Sequence, residues 1–271
     1  MSTSRRQFLA GLAAAAAACQ HPAALQSIPD AVIDPAGPIR LGWRWVPGVR
    51  MTFRTLIHRD VGPVTWTRAE DWQYTARTLD SSGIAALDGR LVGFGASVSA
   101  DGHALEEDKL DHARDAARRA TPDSVSVSIR LSGPIVSCSA RGFGLSLPHR
   151  MLAIHFPAEP LRVGDAWDED GLARAFAPIL PLDVDVATLT SARLSGVEPS
   201  GDAWRATIDH HARLGIGEVG PGVTVEGTTT WDTGLGAIRS RKLHARWDPD
   251  ATTRGAPAGG LRVEMTRLGG V

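Results

Sequence analysis

The chain has 271 residues, with 29 basic side chains against 30 acidic ones and a formal charge of −1. Without a basic excess it lacks the charge that phosphate-backbone binding draws on, so no nucleic-acid partner is expected. Eight Trp and 43% hydrophobic content exclude a disordered chain, while 29 Gly and 17 Pro predict many turns and few long helices.

Residues 1–19 read as an export address. A basic n-region precedes the apolar run from Leu9 to Ala18, which is too short for an ordinary membrane-spanning helix. Ser4-Arg5-Arg6-Gln7-Phe8-Leu9 resembles the twin-arginine export motif, with Arg5, Arg6, Phe8 and Leu9 at the defining positions and Ala10 where that motif usually carries Lys. The resemblance implies the twin-arginine export machinery as a partner. Ala16-Ala17-Ala18-Cys19 resembles a lipobox, which would make Cys19 the lipidated N-terminus of the mature protein and its membrane anchor. The same small residues suit an ordinary cleavage site, and a disulfide to Cys138 is a competing use of the thiol. Gln20 after the cysteine, by analogy with bacterial sorting rules, permits the outer membrane. The expected location is therefore the bacterial cell envelope, facing the periplasm. Removing residues 1–18 leaves 27 basic side chains against 30 acidic ones. The Ala-, Pro- and Gln-rich stretch 20–38 then reads as a tether.

The body, 39–271, is dominated by alternation of period two. Met51, Phe53, Thr55 and Ile57 share one face, as do Trp72, Tyr74, Ala76 and Thr78. Val125, Val127, Ile129 and Leu131 repeat the pattern, and Trp204, Ala206, Ile208, His210, Ala212 and Leu214 extend it over eleven residues. Further strands are expected at 84–98, 134–140, 151–156, 184–194, 222–231 and 236–247, with another at Leu261–Met265. Asp and Gly at Leu87–Arg90, Pro199–Asp202 and Trp231–Gly236 predict hairpin turns. One helix is expected in 103–120, stopped by Pro122, and a short one at 172–177. The expected fold is mainly β: an antiparallel meander forming a curved half-barrel or sandwich, with one or two short helices. Arg50–Arg90 and Asp183–Gly220 share a coarse pattern of strand, turn and Trp-bearing strand, which suggests two similar sub-halves, about 39–140 and 150–271.

The body resembles uncharacterised β-rich envelope lipoproteins in Gly133-Pro134-Ile135-Val136, in Val163-Gly164-Asp165-Ala166-Trp167 and in Gly227-x-x-x-Trp231-Asp232. Such families imply a localisation and no activity. A looser architectural likeness is to periplasmic lipoprotein carriers, whose curved open barrels shelter acyl chains.

Reactive motifs are scarce: there is no Gly-x-Ser-x-Gly elbow, phosphate loop, His-Glu-x-x-His or cofactor signature. Asp209-His210-His211 is a tempting metal triplet, but alternation sends its two histidines to opposite faces, so they read as structural. Asp165, Asp168, Glu169 and Asp170, followed by Gly171, form an acidic loop able to offer oxygen ligands to a hard cation, with Asp165, Asp168 and Asp170 as the candidate ligands. The helix-loop-helix calcium template fails there, because Ala166 and Ala177 stand where acids are needed. Trp43, Trp45, Trp72 and Tyr74 read as core, and Cys138 as a buried thiol. Together these residues point to a non-enzymatic envelope lipoprotein that binds an apolar ligand or a partner protein. The rival expectation is an exported hydrolase or metal-dependent enzyme using the acidic loop with His149, His155 or His211.

Overall fold

The computed structural model describes residues 37–140, 146–169, 188–215, 221–247 and 259–270. The long strands are β1 (Arg50–Val61), β2 (Val64–Leu79), β3 (Ile84–Ala100), β5 (Ser124–Arg130), β8 (Thr188–Ser200), β9 (Ala203–Gly215), β10 (Pro221–Asp232), β11 (Ala237–Trp247) and β12 (Gly259–Gly270). Three short ones, β4 (His103–Ala104), β6 (Ile135–Cys138) and β7 (Ala166–Trp167), complete the set. Helix α1 spans Glu107–Ala120, and a single turn, α2, spans Leu147–Arg150.

All pairings are antiparallel, in one sheet ordered β6-β5-β3-β2-β1-β12-β11-β10-β9-β8-β7, with β4 on the side of β3. This is the curved, mainly β half-barrel that the alternation predicts. The order is that of an up-and-down barrel whose first and last strands pair, left open between β6 and β7. Each long strand turns one parity inward. Phe53, Trp72, Ala85, Leu87, Val127, Ile208, Val225, Leu243 and Val263 are buried on that face, while Arg54, Asp71, Arg213 and Arg246 point out.

Connections follow the expected turn chemistry at Gly201-Asp202 and at Thr233–Gly236, where Asp232 Oδ1 accepts the Leu235 N–H at 3.0 Å. The turn expected at Leu87–Arg90 is absent, because those residues run straight through β3. Gly89 serves packing instead of turning. A Cβ there would lie 2.7 Å from the Val125 side chain and 3.0 Å from the Tyr74 ring. The predicted helix in 103–120 forms from Glu107, with His103–Ala104 paired to β3 ahead of it, whereas the one expected at 172–177 lies outside the described residues. None of the residues of α1 is buried, as its thin apolar stripe foretells.

The stretch 151–156 is the second correction. It is not a strand, and Met151, Leu152, Ala153 and Ile154 are all buried, so both parities face protein. These residues belong to a crossover, 146–165, that carries the chain from the β6 side to the β7 side over the inner face. Gly133 marks where it touches the β5–β6 turn: at φ +108° a Cβ would sit 1.3 Å from the Ile154 carbonyl oxygen. That conformation and that approach both demand glycine. Below the crossover lies an aromatic core in which Trp43 stacks on Trp45 at 5.2 Å and meets Trp231 edge-on at 4.9 Å, with Phe156 4.7 Å from Trp231. Trp43 and Trp45 are thus core, as expected, although no strand carries them.

Candidate functional site

The inner face is apolar except for a polar belt at mid-height. Strand register places Thr229 (β10) opposite Arg241 (β11), Arg241 opposite Met265 (β12), Met265 opposite Thr55 (β1), and Thr55 opposite Glu70 (β2). His210 and Arg68 sit one inward position further along their strands. Burying such groups is costly unless they are paired, so their partners define what the belt can do.

On the β9–β11 side, Glu169, His210, Thr229 and Arg241 are all buried. Glu169 Oε2 lies 2.5 Å from His210 Nδ1, and His210 Nε2 lies 2.7 Å from Thr229 Oγ1. Arg241 Nη2 donates to Glu169 Oε1 at 3.3 Å, and its Nη1 donates to the carbonyls of Met151 and Ala153 at 3.0 and 2.5 Å. The arginine thus ties the sheet to the crossover. Burial pushes the Glu169 carboxyl up, but His210 and Arg241 outweigh it and hold the group below its ordinary range, as a carboxylate. Burial lowers the affinity of Arg241 for its proton, and Glu169 opposes that shift.

On the β2 side, Tyr74 Oη and His149 Nδ1 are 2.7 Å apart, and the His149 ring packs edge-on against Trp72 at 4.5 Å. Burial, with Arg68 nearby, pushes the His149 pKa down to about 3, so it is a neutral ring. Glu70 accepts the Trp72 indole N–H at 2.6 Å and pairs with Arg68 at 2.7 Å. Burial raises the Glu70 carboxyl despite those two partners.

The residues singled out from sequence fall elsewhere. Arg5, Arg6, Phe8, Leu9 and Cys19 lie outside the described residues, as does Asp170. Asp165 is exposed and shapes a turn, accepting the Arg162 N–H at 2.7 Å, while Asp168 is exposed. No group of three or more His, Cys, Asp or Glu side chains able to hold a metal occurs among the described residues. His210 and His211 do part to opposite faces: His210 is buried, whereas His211 faces outward beside Glu226 at 3.6 Å. His149 is buried against β2, and the His155 carbonyl accepts the Trp167 indole N–H at 2.7 Å. Cys138 is a free, half-buried thiol whose pKa burial raises.

Sequence reasoning passed over Thr229 and Arg241, and took Glu169 only as one acid of the 165–170 loop. The signal was present for the first two, since Thr229 and Arg241 stand on the inward parity of apolar strands, where a polar residue needs an explanation. The part Glu169 plays had no such signal, because only the folded chain brings it beneath β9 and β11.

No family model matches the chain, and no curated protein matches it. A solved structure of lipovitellin, concerned with lipid–protein interactions, is similar to it with a TM-score of 0.51 at 10% identity, over 84% of this chain and 26% of that one. The chain thus spans about a quarter of the lipovitellin chain, and the likeness is one of fold alone. DynF, from the dynemicin biosynthesis pathway of Micromonospora chersina, aligns over 90% of this chain and 91% of its own at 10% identity, with a TM-score of 0.20 that carries no argument.

Proposed function

We propose that the chain is an exported envelope protein, anchored through a lipid on Cys19, whose half-barrel binds an apolar ligand on its inner face. The observation that supports ligand binding is the one-sided apolar lining of an unclosed sheet, in which Glu169 is paired with His210 and Arg241, and Glu70 with Arg68. An apolar ligand is the class such a lining accepts. The fold it shares with lipovitellin, a protein studied for its lipid interactions, agrees with this choice. Export rests on Arg5, Arg6, Phe8 and Leu9, and anchoring rests on the small residues before Cys19. Envelope localisation facing the periplasm, at the outer membrane, follows from those two features and Gln20.

Mass spectrometry of the protein extracted from its native envelope tests both parts. The expected product begins at a diacylated Cys19 and releases an apolar small molecule on denaturation. An unmodified N-terminus downstream of Cys19 would end the anchoring claim. Failure of a fluorescent fatty acid to bind the delipidated chain, together with the absence of any extracted ligand, would end the binding claim.

A further inference from the structure

Pairing between β11 and β12 runs from Trp247 and Gly259 to Ser240 and Thr266, and stops there. Beyond that pair β11 stays with β10 and β12 stays with β1, so the two strands part like a fork. Each prong carries one extra residue. Ser240 pairs with Thr230 but Ile238 with Trp231, which leaves Arg239 as a bulge. Arg267 pairs with Phe53 but Gly269 with Thr52, which leaves Leu268 as a second. A bulge re-aims a side chain and ends a ladder, and two of them across one fork hold the sheet open. The opening is a depression of about 400 Å³ lined by Arg239, Ser240, Thr266, Arg267, Leu268 and Gly269. A Cβ on Gly269 would meet no atom within 4 Å, so the space beside it is free.

The lining offers two guanidinium groups and two hydroxyls and contains no carboxylate. Arg267 Nη2 donates to Asp232 Oδ2 at 3.3 Å, which holds that guanidinium in place. On β1, Arg54 lies opposite Thr266 and is neutralised by Asp71 at 2.8 Å. Arg239 is exposed and has neither a hydrogen-bonded nor an ionic partner among the described residues, so the unpaired charge at the fork is its own. We propose that this fork binds the phosphate group of a small-molecule or lipid ligand, with Arg239 as the principal contact. Donor-bearing residues on both prongs suit a tetrahedral oxyanion with three free oxygens, whereas a planar carboxylate is satisfied by a single guanidinium. Leu268, 49% exposed, gives the body that carries the phosphate an apolar surface to rest on. None of the six lining residues is buried, so the site stands apart from the inner face and from the ligand reading above.

The test uses the full chain as Cys19→Ser, which no acyl group can tether to a vesicle, at physiological ionic strength so that diffuse attraction is screened. Inorganic phosphate is titrated by calorimetry, with acetate for comparison. Vesicles of phosphatidylcholine, alone or with phosphatidylglycerol, are used in flotation. The expected result is binding of phosphate or of the phosphatidylglycerol vesicles, weakened at least about 10-fold in Arg239→Gln with no change in thermal midpoint. Arg239→Lys, which keeps the charge without the planar fork, should also bind more weakly than wild type. Arg246→Gln, which removes an exposed arginine elsewhere on β11, should bind as wild type does. Binding of inorganic phosphate assigns a soluble ligand. Flotation that Leu268→Ser abolishes, with no heat from phosphate, assigns a lipid headgroup. No binding of either probe overturns the inference, as does acetate bound as tightly as phosphate. Equal losses in Arg239→Gln and Arg246→Gln also overturn it, since general surface charge would then account for the binding. A chain that fails here and still binds a fluorescent fatty acid loses only this inference.

Discussion

Replacing Glu169 by Ala strips a buried arginine of its carboxylate. Arg241 keeps the carbonyls of Met151 and Ala153 on Nη1 but loses the charge on Nη2, and His210 loses its Nδ1 partner. Breaking one side of a buried pair costs about 3–5 kcal/mol, and an orphaned ring N–H adds about 1–3 kcal/mol less whatever water can enter the vacated space. A loss of about 4 kcal/mol is therefore expected, a large share of the 5–15 kcal/mol or so typical of a folded domain. Urea unfolding followed by Trp fluorescence reads this directly, since Trp43, Trp45 and Trp231 are buried and should shift to the red on exposure. The midpoint should fall with the slope unchanged. The double variant Glu169→Leu with Arg241→Met, apolar and of similar volume, should recover most of the loss. The pH dependence has a definite sign. The Glu169 pKa is depressed in the fold, so its contribution is present above the ordinary carboxylate range and lost as pH falls through the folded value. Wild type and Glu169→Gln should thus converge in acid. A loss below about 1 kcal/mol for Glu169→Ala at pH 7 would refute the reasoning, since no buried cation could have been left uncompensated at so small a cost.

Other consequences are equally open to measurement. His149, with its pKa near 3 in the fold against an ordinary 6.5, is protonated first in the unfolded chain, so stability should fall by about 1.4 kcal/mol per pH unit between those values. His149→Gln should flatten that slope in acid titrations followed by circular dichroism, and an unchanged slope would assign the acid sensitivity to other groups. Gly133→Ala forces a Cβ into the Ile154 carbonyl at a positive φ, so thermal unfolding should show a loss of at least about 3 kcal/mol; a loss under about 1 kcal/mol would mean the crossover does not press on that turn. Trp231→Ala should cost about 3–5 kcal/mol by opening the core between Trp43 and Phe156, read as a fall in the urea midpoint. Asp168→Ala should leave calcium content unchanged by elemental analysis and stability within about 0.5 kcal/mol, since the side chain is exposed.

The three motifs singled out in the body, at 133–136, 163–167 and 227–232, acquire physical reasons in the fold. Gly133 carries the close approach of the crossover, and the Trp167 indole N–H closes on the His155 carbonyl. Trp231 fills the aromatic core, while Asp232 caps the following turn and pairs with Arg267 at 3.3 Å. In the fold two of these positions, Gly133 and Trp167, hold the crossover at Ile154 and His155, Trp231 fills the core and Asp232 fixes a turn.

Alternation by itself determined most of the sheet. Side chains of a strand separate by parity, so Met51 to Ile57, Trp72 to Ala76 and Trp204 to Leu214 announced both the strands and the faces they bury, and Gly201-Asp202 and Thr233–Gly236 announced their turns. The same parity by itself separates His210 from His211. Tertiary structure alone decided what parity cannot express. Whether Gly89 turns or yields space to the Tyr74 ring depends on a neighbouring strand, and whether 151–156 is a strand or a crossover depends on having protein on both sides. The polar belt is the extreme case. Glu169, His210, Thr229 and Arg241 are spread over 73 positions of sequence, and they meet because β9, β10 and β11 are adjacent while the chain returning from the far edge passes beneath them. Local sequence fixes direction and face; only long-range closure of the chain fixes which charges share a buried space.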